Sequence, residues 1–224
     1  MNYFNGSIEP GELPNLEDLH SLNDFDRAAR NYLSEYAYTY FRAGAGAEYS
    51  YRNNLEAFHR VTLRPRMMRD ISNVESTFET TSLGYNFSAP FFIAPCARNE
   101  LLHPDGELNV VAAAAERNIL YMTSDYADKS PEELYEARLR AAGSNITTPT
   151  RYDNGSFDSF AGVETEVQPF FQQMYISGDN FTADIEAMRA YQRLGARAFV
   201  ITIDAPASSN RIRAARYEEK NPEA

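Results

Sequence analysis

Four short clusters of polar and aromatic residues each close an apolar run: Pro95-Cys96-Ala97, Ser124 to Tyr126, Gln173 to Tyr175, and Thr202 to Asp204. A buried amide such as Gln173 must find hydrogen-bond partners. A carboxylate that ends an apolar strand, as Asp204 does, is either solvated at a rim or employed there. Ser124 is small and suits a structural or a binding role. Cys96 is the only thiol. Pro95 beside it supplies no base, so Cys96 reads as a small hydrophobe rather than a nucleophile. His103 before Pro104 reads as a helix-start residue, since no ligand spacing for a metal accompanies it. Taken alone, Tyr40 and Tyr175 read as aromatics in tyrosine-rich segments.

The clusters need strands and helices to hold them. Pro90 to Pro95 is an apolar run ending at a proline, and an Ala-rich helix from about Gly106 to Asn118 follows. Ile119 to Thr123 is a second strand. Ser130-Pro131-Glu132-Glu133 then starts a helix with a capping serine, a proline in the first turn and a closing glutamate. Residues 144–167 are polar and read as an inserted surface loop. Pro169 to Tyr175 is a third strand, with its helix from Phe181 to Leu194. Ala198 to Asp204 is the fourth. Strands alternating with helices imply a parallel sheet, ordered 1-2-3-4 with helices on one side. All four clusters then meet at one rim, where βα barrels keep their chemistry. A doubly wound sheet usually has a Gly-rich first turn, and Pro-Cys-Ala-Arg stands there instead.

Ahead of the strands, the spacing predicts three helices. The first starts near Ser21 and repeats Leu22, Phe25, Ala29 and Leu33. Ser34 caps a second, ended by Gly44-Ala45-Gly46. The third, about Ser50 to Arg60, presents Leu55 and Phe58. Thr77 to Asn86 reads as a short hairpin able to plug the bottom of a barrel. The boundary falls between residues 1–89, helices and hairpin, and residues 90–224, four βα units. From Asn210 the tail is charged and polar.

The chain has 224 residues and a formal net charge of -11, which argues against nucleic acid and against an anionic membrane surface. No apolar run nears the ~20 residues that span a bilayer, and the first residues lack a secretory pattern. With one cysteine, the expected compartment is the reducing cytoplasm.

Several segments in order resemble the FMN-dependent α-hydroxy acid dehydrogenase and oxidase family, which includes glycolate oxidases, lactate monooxygenases and flavocytochrome lactate dehydrogenases. They are Tyr38-Thr39-Tyr40-Phe41 with Gly44-Ala45, Arg52-Asn53-Asn54 with Phe58, Leu63-Arg64-Pro65-Arg66, Ala94-Pro95-Cys96-Ala97 with His103-Pro104-Asp105-Gly106-Glu107, Gln173-Met174-Tyr175, and Thr202 to Pro206. The resemblance covers residues 20 to 221 apart from the insert, and corresponds to the family's N-terminal half.

It implies an α/β fold: the first half of a TIM-type (β/α)8 barrel, preceded by N-terminal helices and a short hairpin. The implied cofactor is FMN, and the implied reaction is oxidation of a small 2-hydroxy acid to a 2-oxo acid. Pro95, Cys96 and Ala97 would line the flavin ring through their backbone, and Ser124, Gln173 and Thr202 would bond its polar edge. Tyr175 and Asp204 would be catalytic, Asp204 by orienting a histidine. Tyr40, Tyr126 and Arg211 would face the substrate. Cys96 stands where the family usually has threonine, and Tyr126 where tryptophan is common. The family's base histidine, flavin lysine and phosphate site lie in its second half. The chain alone is therefore expected to be inactive, and to form a homo-oligomer or pair with a complementary half-barrel. The alternative is a non-catalytic half-barrel that serves as an interaction protein.

Overall fold

The computed structural model describes residues 9–74, 78–143, 169–176, 178, 180–205 and 209–220. The insert predicted at 144–167 lies outside them. The chain forms two compact units, Met1–Met67 with Ala207–Ala224, and Met68–Pro206. A cut at residue 89 does not describe them: the hairpin belongs with the strands, and the last helix with the N-terminal helices.

The first unit holds α1 (Leu22–Tyr32), α2 (Glu35–Arg42), α3 (Tyr49–Arg60) and α7 (Ile212–Lys220). Ser21 and Asp24 form a capping box on α1, and Ser34 Oγ accepts from Ala37 N on α2. These caps satisfy N–H groups that a helix start leaves without partners. The apolar repeat predicted for α1 packs only in its second half, where Ala29 and Leu33 are half-buried. Leu22 is 88% exposed, while Ala28 is buried. In α3 no residue is buried. The charged tail is itself a helix. It buries Ala214 and sets Tyr217 against Tyr36 of α2, with ring centroids 5.7 Å apart.

The second unit opens with the hairpin β1 (Thr80–Ser82) and β2 (Tyr85–Phe87), paired antiparallel. Leu83 and Gly84 both take positive φ at its tip, the two-residue turn whose twist matches paired strands. Helices and strands then alternate: α4 (Glu107–Glu116), β3 (Tyr121–Thr123), α5 (Pro131–Ala141), β4 (Phe170–Met174), α6 (Phe181–Arg193) and β5 (Ala196–Ile201). The sheet order is β3-β4-β5, parallel throughout.

The strand predicted at Phe91 to Pro95 shrinks to one residue. Ile93 forms a parallel bridge with Tyr121, through Ile93 N to Leu120 O and Met122 N to Ile93 O. Phe91 and Phe92 are 61% and 53% exposed rather than buried. Pro90 and Pro95 bracket the run, and proline, lacking an N–H, is confined to sheet edges. The order 1-2-3-4 holds, with Ile93 in first place.

Alternation divides the sheet's two faces. Tyr121 packs with Val111, Ala114 and Leu134 of α4 and α5. On the other face Leu120 and Phe171 pack with Phe87 of the hairpin. The hairpin, through Phe87, thus covers the face of the sheet opposite α4 and α5. Burying the Phe87 side chain contributes about 1.5–3 kcal/mol.

Candidate functional site

Because the strands are parallel, their C-terminal ends share one rim. Gln173 stands at its centre, 6% exposed in β4. Its Oε1 accepts from Asp125 N at 3.0 Å. Its Nε2 donates to Thr202 Oγ1 at 2.9 Å. Thr202 is held in turn by its N–H to Met174 O. The amide that had to find partners has found them on the two neighbouring loops.

Ser124 is buried directly after β3, and its Oγ accepts from Tyr126 N. Tyr126 and Tyr175 lie against each other with ring centroids 5.4 Å apart, both exposed. Asp125 joins their loops, since its Oδ2 accepts from Tyr175 N at 3.2 Å. Sequence reasoning passed over Asp125; a short acidic side chain after a strand was the only signal. Asp204 is exposed in the bend after β5.

Pro95, Cys96 and Ala97 follow Ile93 in an irregular loop. The Cys96 thiol is exposed rather than buried. Nearby groups still push its pKa up, first through partial desolvation and then through the negative charge of Glu107. Two residues that sequence reasoning did not single out organise this loop. Asn99 Nδ2 donates to Cys96 O at 2.8 Å and to Glu107 Oε1 at 2.9 Å. Glu107 itself is 0% exposed. His103 fills the helix-start role expected of it, with Nδ1 accepting from Asp105 N.

Tyr40 and Arg211 belong to the first unit. There the Arg211 guanidinium lies over the Tyr40 ring, 4.4 Å from its centroid. Arg211 Nε also donates to Ser209 Oγ at 3.4 Å. A guanidinium stacked on a ring keeps its N–H edge available to a carboxylate. Among the described residues no group of three or more His, Cys, Asp or Glu side chains is placed to hold a metal.

Residues 29–224 match the family described as FMN-dependent dehydrogenase. The chain is 32% identical to 2-hydroxyacid oxidase 2 of Rattus norvegicus, over 86% of its own length and 46% of that protein's. It is 32% identical to an L-lactate oxidase of Nostoc sp., over 88% of its length and 47% of the other's. Its structure aligns with a flavocytochrome b2 variant with pyruvate bound at a TM-score of 0.76 and 25% identity, covering 94% of this chain and 47% of that one. The fold is that of a partial (β/α)8 barrel, with its helices, hairpin and four strand positions in family order. The chain belongs to the FMN-dependent dehydrogenase family. It spans about half the length of the relatives it matches.

The rim residues fit the ring of that cofactor. The Gln173 amide and the Thr202 hydroxyl meet there, and Ser124 follows the neighbouring strand. The Ala97 N–H has no hydrogen-bond partner among the described residues. Such a donor set suits a flat heteroaromatic group with polar edges that gains negative charge on reduction.

Proposed function

We propose that this chain forms the flavin-cradling half, and part of the substrate-facing half, of an enzyme that oxidises a small 2-hydroxy acid to a 2-oxo acid. The observation that carries the reading is the buried Gln173 amide, fixed between Asp125 and Thr202 at the shared rim of parallel strands. FMN, when bound, would supply the redox chemistry by taking up two electrons. Ala97 N–H, Ser124, Gln173 and Thr202 would hold and polarise its ring, beside Pro95 and Cys96. Tyr175 would bond the substrate hydroxyl. Tyr40 and Arg211 would bind the carboxylate, with Tyr126 forming a wall. Asp204 would orient a protonatable base.

Support for the substrate class comes from the relatives, named for 2-hydroxy acids and L-lactate, and from the pyruvate in a similar structure. The rest of the barrel is supplied either by further polypeptide or by a second, complementary half. β5 supports this, because it forms an edge of the described sheet, and an open edge is a template for pairing. No helix among the described residues is long and apolar enough to cross a membrane. A cytoplasmic setting is proposed on the single, exposed, unpaired thiol of Cys96.

The test is an assay of the chain with FMN, a 2-hydroxy acid and an artificial electron acceptor, alone and mixed with the second half of a family barrel. Turnover is expected in the mixture only. Asp204→Asn should lower it by about 10²–10⁴-fold, the range a positioned base contributes. A mixture that binds FMN but is not reduced by any 2-hydroxy acid overturns the substrate assignment. Turnover by the chain alone, abolished by Asp204→Asn, makes Asp204 the base itself.

A further inference from the structure

Glu107 is the first residue of α4 and is fully buried. Burying a carboxylate is costly unless hydrogen bonds compensate. Here the donors are neutral and come from two loops. Oε1 accepts from Asn99 Nδ2 at 2.9 Å, from Asn99 N at 3.5 Å and from Asp128 N at 3.2 Å. Oε2 accepts from Lys129 N at 3.3 Å. The Lys129 ammonium goes elsewhere, to Glu100 Oε1 at 2.5 Å and Pro104 O at 3.0 Å. Glu100 N closes the circuit on Asp128 Oδ2 at 2.8 Å. The loop after Ile93 and the loop after β3 are thus stitched around one buried negative charge.

The geometry leads from that charge to the rim. An amide group has two N–H donors in fixed directions. Asn99 gives one to Glu107 and the other to Cys96 O. A carboxylate accepts only, so it fixes which way the Asn99 amide faces. Holding the Cys96 carbonyl fixes the plane of the Cys96–Ala97 peptide. That peptide is trans, so the Ala97 N–H points opposite to the carbonyl, away from Asn99. It is a donor with no partner among the described residues.

We propose that Glu107 is a positioning residue: through Asn99 it sets the Cys96–Ala97 peptide so that the Ala97 N–H faces the ligand at the rim. This rests on the proposed function for what the ligand is, a flavin ring that gains charge on reduction. The brace itself is a property of the protein alone. Gly106, just before Glu107, sits at φ +52° and ψ -126°, a region essentially restricted to glycine. A Cβ there would come within 3.2 Å of Glu100 Cγ. A side chain at position 106 would therefore strain the backbone immediately before Glu107.

Cys96, the only thiol, reports on the brace without any flavin. The test follows the pH profile and the limiting rate of its alkylation by iodoacetamide in the wild type, Asn99→Ala, Glu107→Gln and the double variant. Both single variants should raise the limiting rate, by roughly tenfold for a lost hydrogen bond of ordinary strength. The double should be no faster than the quicker single, because the two residues act in series. Glu107→Gln alone among the singles should move the profile to lower pH, since it removes the negative charge beside the thiol while Asn99→Ala keeps it. General loosening of the fold would not separate the two variants in this way. An unchanged limiting rate in Asn99→Ala overturns the proposal, as does full additivity in the double variant. If Glu107→Gln does not fold, Asn99→Ala against Asn99→Ser carries the test, with serine too short to reach both partners and expected to match alanine. Failure of the completed barrel to bind FMN would count against the functional reading and leave these rates untouched.

Discussion

The loop after Ile93 and the loop after β5 both carry rim residues, yet they are held in opposite ways. The first is fastened from beneath by a buried carboxylate and a chain of hydrogen bonds through Asn99, Asp128 and Lys129. The second, among the described residues of the rim, is held near its start, where Thr202 bonds Met174 O and accepts from Gln173. Beyond it Ile203 is exposed, and so is Asp204. The difference teaches where this half-barrel is preorganised. Groups assigned to the flavin ring are set by the chain's own interior. The carboxylate assigned to orient a base is at the surface of the described sheet.

The largest test of that contrast is Glu107→Ala. It leaves several N–H groups of Asn99, Asp128 and Lys129 without an acceptor, at about 1–3 kcal/mol for each one that stays buried. A loss of about 3 kcal/mol or more in urea unfolding is therefore expected. Stability should also depend on pH through this residue. Burial alone would raise its pKa, but the bonds from the Asn99 side chain and from the backbone of Glu107, Asp128 and Lys129 prevail and lower it. A carboxyl whose pKa is lowered by folding contributes stability above its unfolded value. That contribution fades as pH falls through the folded value. Wild-type stability should thus drop as pH falls below about 4.5, the ordinary glutamate value from which folding lowers Glu107, and Glu107→Gln should lack that share of the drop. An acid profile identical in the two proteins would place the charge outside the brace.

A middle-sized effect is expected from Gln173→Leu, which keeps the volume but strands Asp125 N–H and Thr202 Oγ1. About 1–3 kcal/mol should be lost, and the Thr202→Val change should cost less in that background than in the wild type. Simple additivity would show that the rim bond is not made in solution. The smallest effect is reserved for Asp204→Ala. An exposed side chain in a bend should change stability by no more than about 0.5 kcal/mol. A larger loss would mean that the loop after β5 is braced after all, and the contrast between the loops would fail.

Much of this was legible in the residues themselves. Ser130-Pro131-Glu132-Glu133 specifies its own helix start through local bonds. The β3, β4 and β5 strands follow from apolar runs closed by turns. Gln173 stood out because a polar amide inside such a run demands partners wherever the chain puts them. Tertiary structure decided the rest. Phe91 and Phe92 read as core, but prolines at both ends kept their run from pairing beyond Ile93, and both rings stayed exposed. The charged tail became α7 because Ala214 and Tyr217 had α2 to pack against, a contact almost two hundred residues away in sequence. In the sequence Glu107 stood only as the last residue of the His103-Pro104-Asp105-Gly106-Glu107 motif. Only folding showed it sealed between two loops, since a carboxylate's meaning depends on which distant N–H groups surround it, and no spacing along the chain records that.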